Sequence, residues 1–397
     1  MYRAHQTALV DTLITDSAGI LFVLAGNAAL WFYLEKRTQW GVFNYFPPLI
    51  FIYLLPAILS NTDIIPLKDP TYDWMGRYLL PMFLTLLLLD VNVKAAVRLM
   101  GRGVLVMLAG TLGVVVGAPI AFSLVKSGLG PEAWKGYGTL AGSWIGGTGN
   151  MASVGEGLNT PGAEFGLAVI ADHAVYLVWL PILLSSKKLA SRFNTFTGAS
   201  AASQERLKAA AAALSEDKGP IEMRHLLYLI GIAAGATYIA SELGQRLPAL
   251  PPVLSPSTYR ILIVTSIGLA LSFSPARKIP GSHVLAMALV YLFVARMGAR
   301  ASVDGLAGQA LPFVGGAYLW IVIHGAFLLL AAKLLKADVH TAAIASAANI
   351  GGAASAPVVA AYHDDRLVPV SILMALLGYA VGNYAAFLAA WLCQLVS

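Results

Sequence analysis

The stretch Gly142-Ser-Trp-Ile-Gly-Gly-Thr-Gly-Asn-Met151 decides the fold, because it holds too many glycines and polar residues for an ordinary lipid-facing helix. It lies within the segment 136–158, between long apolar runs. Backbone exposed at Gly146, Gly147 and Gly149 is tolerated at membrane depth only where protein or a watery cavity satisfies the freed amides and carbonyls. The stretch therefore predicts a re-entrant or broken helix inside a membrane protein.

The composition of the whole chain supports that reading. Of its 397 residues, 58% are hydrophobic and 12% are charged, against about 25% charged in soluble domains. A soluble globule cannot bury so much apolar surface, so the lipid bilayer is the first expected partner. The net charge is +6, and the basic residues lie mostly between the apolar runs, where they set the topology. We therefore expect no nucleic-acid binding, but a multi-pass protein of a cell (inner) membrane.

Ten apolar runs approach the roughly 20 residues that a helix needs to cross the hydrocarbon core. Residues 1–16 lack the cationic region of a signal peptide, so the first run is expected to stay as a span. The runs form two sets of five, namely 17–34, 45–59, 75–93, 103–125 and 164–184, then 225–241, 259–273, 283–297, 312–332 and 368–395.

A second glycine-rich segment, 340–361, occupies the corresponding place in the second set. Its Ile350-Gly351-Gly352 matches Ile145-Gly146-Gly147, and the surrounding runs repeat in the same order. This internal duplication predicts a first repeat over 1–184, a cytoplasmic linker over 185–223 and a second repeat over 224–397.

The number of crossings in each half sets the relation between the repeats. Five spans plus one re-entrant hairpin give an inverted repeat, whereas six crossings give a parallel repeat. The distribution of Lys and Arg does not decide between them, and the exposed glycine backbone favours the hairpins. The predicted fold is an all-α polytopic membrane protein with two inverted-topology repeats, each of about five spans plus one glycine-rich re-entrant or broken helix.

Three motifs carry a family resemblance over nearly the whole chain. The segments Gly142–Met151, Ala348-Asn-Ile-Gly-Gly352 and Leu377-Gly-Tyr-Ala-Val-Gly-Asn-Tyr384 resemble the YjcL-like membrane proteins, the domain of unknown function 819 family. That family is grouped with the cation:proton antiporter and anion transporter superfamily. Gly146-Gly147-Thr148-Gly149 is also similar to the re-entrant loops of citrate-type and glutamate-type sodium symporters, whereas Gly351-Gly352-Ala353-Ala354 lacks the last glycine.

The resemblance implies a secondary transporter that works by an elevator-like movement. A core built from the last three elements of each half would move against a scaffold made of the first spans. Proteins of this kind are commonly homodimers through the scaffold, so a homodimer is expected from the resemblance.

Asp172 is the strongest candidate for chemistry, because a carboxylate inside an apolar helix is costly unless it faces a cavity or a partner. We predict that it binds Na⁺ or a proton; the alternative is a structural partner for nearby helix ends. Hard cations prefer oxygen ligands, so Ser143, Asn150 and Asn349 join the predicted ion site. The resemblance adds Asn383, the residue opposite Asp172 in the second repeat.

The glycine-rich segments are predicted to hold the substrate. Helix N-termini at the breaks would present N–H groups and a positive dipole end to an anion. Close helix packing by small residues is the alternative role, and for the glycines both roles can hold together. The predicted substrate-binding residues are Gly146, Gly147, Thr148, Gly149, Gly351, Gly352 and Ser355.

The histidines are weaker candidates. His173 and His324 are possible proton-linked groups, although a packing role is favoured for both. His363-Asp364-Asp365 falls in a predicted loop without further ligands at metal spacing, so we interpret it as solvated and expect no metal beyond possible Na⁺, and no cofactor. Walker, nucleophile-elbow and zincin motifs are absent from the sequence, which argues against an ATPase or an enzyme.

These observations predict a secondary active transporter, with Na⁺ or H⁺ coupled symport of a small organic anion, amino acid or short peptide. A cation/proton antiporter without organic substrate is the first alternative. A passive channel or a membrane sensor is the second.

Overall fold

The computed structural model describes residues 12–44, 48–200, 218–301 and 306–397. Within these ranges the chain is helical, with no β-strand beyond an isolated bridge between Leu250 and Leu254. The prediction of an all-α fold is confirmed. The α-helices are α1 (Ser17–Thr38), α2 (Pro48–Asn61), α3 (Pro70–Leu89), α4 (Val93–Met100), α5 (Arg102–Val125), α6 (Ala133–Gly157), α7 (Gly162–Ser185), α8 (Ala190–Thr197), α9 (Met223–Arg246), α10 (Pro256–Leu271), α11 (Ser282–Ala299), α12 (Leu306–Leu335), α13 (Val339–Ile350), α14 (Gly352–His363) and α15 (Val368–Leu395).

Seven of the helices in the described ranges are long and apolar enough to cross a membrane. They are α1, α5, α7, α9, α11, α12 and α15, while α2 and α10 are shorter apolar helices. The 20-residue helix α3 carries Asp73 and Arg77 in its first half. The chain is therefore a multi-pass membrane protein, as its composition predicted.

Polar side chains fix several helix starts. Asp16 accepts a hydrogen bond from the Gly19 amide at the start of α1, and Asp338 accepts from the amides of His340 and Thr341 at the start of α13. Such caps satisfy amides that have no partner within the helix. They place the helix ends that the hydrophobic runs alone left uncertain.

The helices pack as two bundles. Helices α1, α2, α3, α9, α10 and α11 pack mainly against one another and form what we call the scaffold bundle. Helices α5, α6, α7 and α12 to α15 do the same and form the core bundle. Contacts between the bundles are sparser. Each bundle takes helices from both halves of the chain, so the repeats are not separate structural units.

Helix α6 is a hairpin whose tip is Gly147. The Gly147 backbone has φ 72° and ψ −169°, which is not helical. Beyond this break the chain returns, because a Cβ on Gly142 would lie 2.8 Å from the Asn150 carbonyl oxygen. Thr139 Oγ1 likewise lies 3.0 Å from Thr160 Oγ1. Eight residues of continuous helix would instead separate Gly142 from Asn150 by about 12 Å. We call residues 133–157 hairpin 1.

Helices α13 and α14 form the matching hairpin 2, residues 339–363. They meet at Gly351, and Gly352 begins α14 with φ 57°. At the open end, His340 Nδ1 lies 2.9 Å from His363 Nδ1 although the two residues are 23 positions apart. The second glycine-rich segment therefore also turns back on itself.

The two hairpins approach from opposite ends of α7 and meet at their tips. Hairpin 1 leads directly into the start of α7, whereas His363 at the base of hairpin 2 contacts the Leu183 carbonyl near the end of α7. The tips touch, since a Cβ on Gly352 would lie 3.4 Å from the Gly147 Cα. The repeat boundaries and the inverted relation of the complete repeats stay predictions.

Candidate functional site

A cavity of about 580 Å³ lies where the hairpin tips face α7 and the scaffold bundle. Volumes of about 300–1,000 Å³ are typical of small-molecule sites. Hairpin 1 and α7 supply Ser143, Gly147, Thr148, Asp172, His173 and Tyr176, hairpin 2 supplies Gly351 and Ser355, and the scaffold side supplies Phe43, Leu49 and Tyr291.

Asp172 is held by two donors from the first arm of hairpin 1. The Ser143 hydroxyl donates to Oδ2 at 3.0 Å, and the Trp144 indole N–H donates to Oδ1 at 2.9 Å. Trp144 is fully buried, and its ring packs on Trp320 with the centroids 4.7 Å apart. The half-buried carboxylate is therefore oriented at the cavity wall. The sequence predicted Asp172 and Ser143 but missed Trp144, which reads as an ordinary apolar residue.

Tyr176 lies one helical turn after Asp172, on the same face of α7. Its ring lies against hairpin 2, so that a Cβ on Gly351 would be 3.0 Å from it. Helix α7 thus presents a carboxylate to hairpin 1 and a phenol to hairpin 2. Tyr176 was not predicted as a site residue, although its i+4 spacing from Asp172 was a usable signal.

The lining of this cavity is polar without being basic. Its described residues include the Asp172 carboxylate, the His173 imidazole and several hydroxyls, but no Lys or Arg. His173 Nδ1 lies 2.8 Å from the Val169 carbonyl, which requires Nδ1 to carry the hydrogen. The packing role favoured for His173 describes this contact, although the residue also lines the cavity.

Asn150 and Asn383 lie outside the cavity lining. Asn150 donates to the Tyr379 carbonyl at 3.1 Å. Asn383 is fully buried, donates to Thr265 Oγ1 at 2.9 Å and accepts from Ser153 Oγ at 3.0 Å. Asn383 therefore links hairpin 1 to the scaffold helix α10 rather than joining Asp172. Ion binding by either asparagine stays a prediction.

Asn349 and His324 are also buried and hydrogen-bonded to protein. Asn349 accepts from Thr111 Oγ1 at 3.2 Å. His324 contacts the Gly110 carbonyl at 2.9 Å through Nδ1 and Ser346 Oγ at 3.0 Å through Nε2. Both side chains join hairpin 2 or α12 to α5, and neither lines the cavity. Their predicted ion and proton roles stay predictions.

The remaining predicted glycines are places of close packing. A Cβ on Gly146 would lie 2.4 Å from the Asn150 side chain, and one on Gly149 would lie 2.6 Å from Leu87. Of the seven predicted substrate residues, Gly147, Thr148, Gly351 and Ser355 line the cavity. Gly352 touches Gly147 at the meeting of the tips.

The interpretation of His363 as part of a solvated loop was wrong. His363 ends α14, is 3% exposed, and contacts both His340 and the Leu183 carbonyl. The reason is the hairpin, which brings together residues equally far from its tip. Within the described ranges no group of three or more His, Cys, Asp or Glu side chains could hold a metal ion.

A buried ion pair joins the two bundles and was not foreseen. Arg296 on α11 is fully buried and donates to the Glu156 carboxylate on hairpin 1 at 2.8 Å. Its Nε donates to the Tyr72 carbonyl at 2.5 Å, and Arg300 lies 3.5 Å from the same carboxylate. The signal was an arginine inside an apolar run, since such a charge requires a partner.

The architecture defines a class of polytopic α-helical membrane proteins in which two helical hairpins meet at their tips beside a cavity. The chain belongs to the family described as "Protein of unknown function (DUF819)", whose model matches residues 20–395. It is similar to the "Uncharacterized membrane protein YjcL" of Bacillus subtilis (strain 168), with 24% identity over 389 residues that cover 94% of this chain and 98% of the relative. The resemblance predicted from the motifs is confirmed.

Proposed function

We propose that the protein is a secondary active transporter whose solute occupies the cavity between the hairpin tips and the scaffold bundle. The observation that supports this most directly is the meeting of two broken helices at Gly147 and Gly352, beside the Asp172 carboxylate. Broken helices inside a membrane protein are typical of transport sites, because their freed backbone groups can bind solutes and ions.

Asp172 is the proposed site for the coupling cation. Its carboxylate is oriented by Ser143 and Trp144, and the Thr148 hydroxyl lines the same cavity. Oxygen ligands of this kind suit Na⁺, and a carboxylate can equally take a proton. The proposed coupling ion is therefore Na⁺ or H⁺.

An elevator-like movement of the core bundle is part of the proposal. The cavity has one wall from each bundle, and further cavities lie at opposite ends of α11. One, of about 630 Å³, is lined by Ser282 and Pro357; the other, of about 310 Å³, is lined by Arg300 and Glu156. Sliding of the core would open the solute site to these ends in turn. Dimerisation through the scaffold belongs to the same proposal.

A cation/proton antiporter without organic substrate is the second candidate. It is favoured by the cavity lining, in which Asp172 is the one carboxylate among the described residues and no Lys or Arg offers to hold an anion. The two candidates differ in whether an organic solute moves with the ion.

The test combines ligand-induced stabilisation with flux. Purified protein is heated in Na⁺, Li⁺ or K⁺, and we expect the unfolding midpoint to rise with the coupling ion, because a ligand that binds the native state stabilises it by mass action. Asp172→Asn should abolish that rise, whereas Glu242→Gln, which changes an exposed pair with Arg246 on α9, should keep it.

Reconstituted protein should also accumulate solute against its gradient when the ion gradient is applied. An unchanged Na⁺ and pH response in Asp172→Asn would remove that residue from the proposal. Flux that only ever runs downhill would favour a passive channel over a transporter.

A further inference from the structure

The charge of the cavity between the hairpin tips and the scaffold bundle indicates the chemistry of its solute. Among the described lining residues, Asp172 is the one formally charged side chain. The lining also contains the imidazole of His173, but no further carboxylate and no Lys or Arg. A carboxylate substrate would enter beside Asp172 without a basic side chain to receive it. A cationic substrate would instead complete the charge balance of the site.

Asp172 has the geometry to receive a cation. Each of its oxygens accepts one hydrogen bond from hairpin 1, and a carboxylate has about four acceptor positions in all. The two bonds from Ser143 and Trp144 therefore orient the group and leave acceptor capacity toward the cavity. A protonated amine could donate to that capacity at hydrogen-bond distance.

Aromatic side chains complete the environment. Phe43 and Tyr291 line the cavity from the scaffold side, and Tyr176 lines it from α7, one turn after Asp172. Aromatic faces attract ammonium groups through the ring quadrupole, and quaternary ammonium ligands are recognised in this way. The combination of one carboxylate with three aromatic rings is suited to an organic cation.

The size of the cavity argues for an organic ligand rather than a bare ion. Its volume of about 580 Å³ far exceeds what a single ion requires, since one water takes up about 30 Å³ of liquid. The cavity is lined by apolar side chains, such as Leu49, and by hydroxyl-bearing side chains, such as Ser355. A solute of several carbon atoms with one positive end would fit these walls.

We infer that the transported solute carries a protonated amine or quaternary ammonium group that pairs with Asp172. The inference rests on the proposed transport function and names its substrate class. It also has a consequence for coupling, because one carboxylate would bind the organic cation or the inorganic cation, H⁺ or Na⁺, but not both. Mutual exclusion at Asp172 makes the protein an exchanger of organic cation for H⁺ or Na⁺.

Binding to purified full-length protein tests the inference. Calorimetric titrations in potassium phosphate, which contains neither Na⁺ nor amine, would use choline, butylammonium and putrescine as cationic probes, with succinate and butyrate as anionic probes. We expect at least one cationic probe to bind and to be displaced by Na⁺ or by protons. Its Kd should rise at least tenfold in Asp172→Asn and stay within twofold in Glu242→Gln.

A second variant guards against misfolding of Asp172→Asn. Tyr291→Ala removes an aromatic side chain that lines the cavity from the scaffold side and leaves the hydrogen bonds of Asp172 unchanged. It should raise the Kd of the cationic probe several-fold. Absence of binding by all three cationic probes, or binding unaffected by both variants, would overturn the inference. Binding of succinate or butyrate instead would overturn the inference of a cationic substrate but would leave the transport proposal standing. Failure of any solute to accumulate in vesicles would contradict the transport proposal itself.

Discussion

Gly147 allows the chain to turn at the tip of hairpin 1, and its role depends on backbone conformation. Its φ of 72° and ψ of −169° lie in a region open essentially only to glycine. We expect the backbone strain in Gly147→Ala to destabilise the protein by about 1–3 kcal/mol. The new Cβ would also lie 3.3 Å from the Tyr379 ring, which is a tight contact. Thermal unfolding in detergent measures the effect.

Gly231→Ala is the matched control for this change. Gly231 lies inside α9, and a Cβ there would meet nothing within 4 Å. Alanine is favoured over glycine in a helix interior by roughly 0.5–1 kcal/mol, so this variant should be neutral or slightly stabilising. Equal losses in the two variants would show that the left-handed turn at Gly147 is not the cause.

Trp144, which was not predicted as a site residue, helps to orient the predicted ion ligand Asp172. Trp144→Phe keeps a ring against Trp320 but removes the donor to Asp172 Oδ1. Loss of a hydrogen bond that orients a ligand typically weakens ion binding by about 10–100-fold, so we expect at least a tenfold rise in the Kd of the coupling ion. Titration calorimetry measures the change.

Trp320→Phe is the control, because the Trp320 indole donates to the Val114 carbonyl and not to Asp172. It should leave the Kd of the coupling ion within about twofold. Similar losses in both variants would indicate damage to packing rather than to carboxylate orientation.

At this scale the sequence could point to Asp172 and to the glycine pairs, because a charge or exposed backbone inside an apolar run is visible without a fold. Of the two donors to Asp172, Ser143 was predicted, whereas Trp144 could not be foreseen in the same way. Trp144 looks like an ordinary apolar residue until the tertiary structure brings its indole N–H to the carboxylate. Asn383, a position inferred by symmetry, is hydrogen-bonded to Thr265 and Ser153 and does not line the cavity, so its ion-binding role stays a prediction.

Among the elements, the contact between α11 and hairpin 1 is held by a charge pair in which Arg296 is fully buried and Glu156 is 16% exposed. Replacing Glu156 by Gln would leave Arg296 buried with only a neutral partner. Breaking a buried pair on one side costs about 3–5 kcal/mol, so Glu156→Gln should lower thermal stability far more than Glu242→Gln on the exposed face of α9.

The double variant Glu156→Gln with Arg296→Met separates the charge from the packing. Removing both charges is often neutral or stabilising, so the double variant should regain most of the lost stability. A double variant as unstable as Glu156→Gln alone would contradict the assignment of the loss to an unpaired arginine.

Seven of the ten predicted runs correspond to helices that are long and apolar enough to cross a membrane among the described residues, and each of these is visible from hydropathy alone. The ends of α1 and α13 needed their caps at Asp16 and Asp338, which hydropathy does not weigh. The sequence allowed two structures for the glycine-rich segments, re-entrant hairpins or helices that cross the membrane, because the distribution of Lys and Arg fits both. Contacts such as Thr139 with Thr160 supply what the linear sequence could not.

The whole molecule is divided into two bundles, and the proposed mechanism requires them to slide. Helix α10 of the scaffold meets α15 of the core where Ser266 Oγ and the Tyr384 hydroxyl lie 2.6 Å apart. A cysteine at position 384 does not reach as far as the tyrosine hydroxyl, so a direct disulfide is not expected. A short bis-methanethiosulfonate reagent, which joins two thiols through its own spacer, would instead fix the bundles in the arrangement of this structure. In a background with Cys393 replaced by Ala, the Ser266→Cys and Tyr384→Cys pair should crosslink with this reagent and stop transport.

Sliding predicts that only crosslinks between bundles stop transport. Ser17 Oγ and Thr71 Oγ1 lie 2.9 Å apart on α1 and α3, both in the scaffold bundle. The Ser17→Cys and Thr71→Cys pair should therefore crosslink without loss of flux, while a reductant should restore flux to the Ser266 and Tyr384 pair. Full transport by the crosslinked Ser266 and Tyr384 pair would contradict the elevator-like movement. Each vesicle assay should report the crosslinked fraction, because an unreacted fraction would carry flux in proportion to its amount.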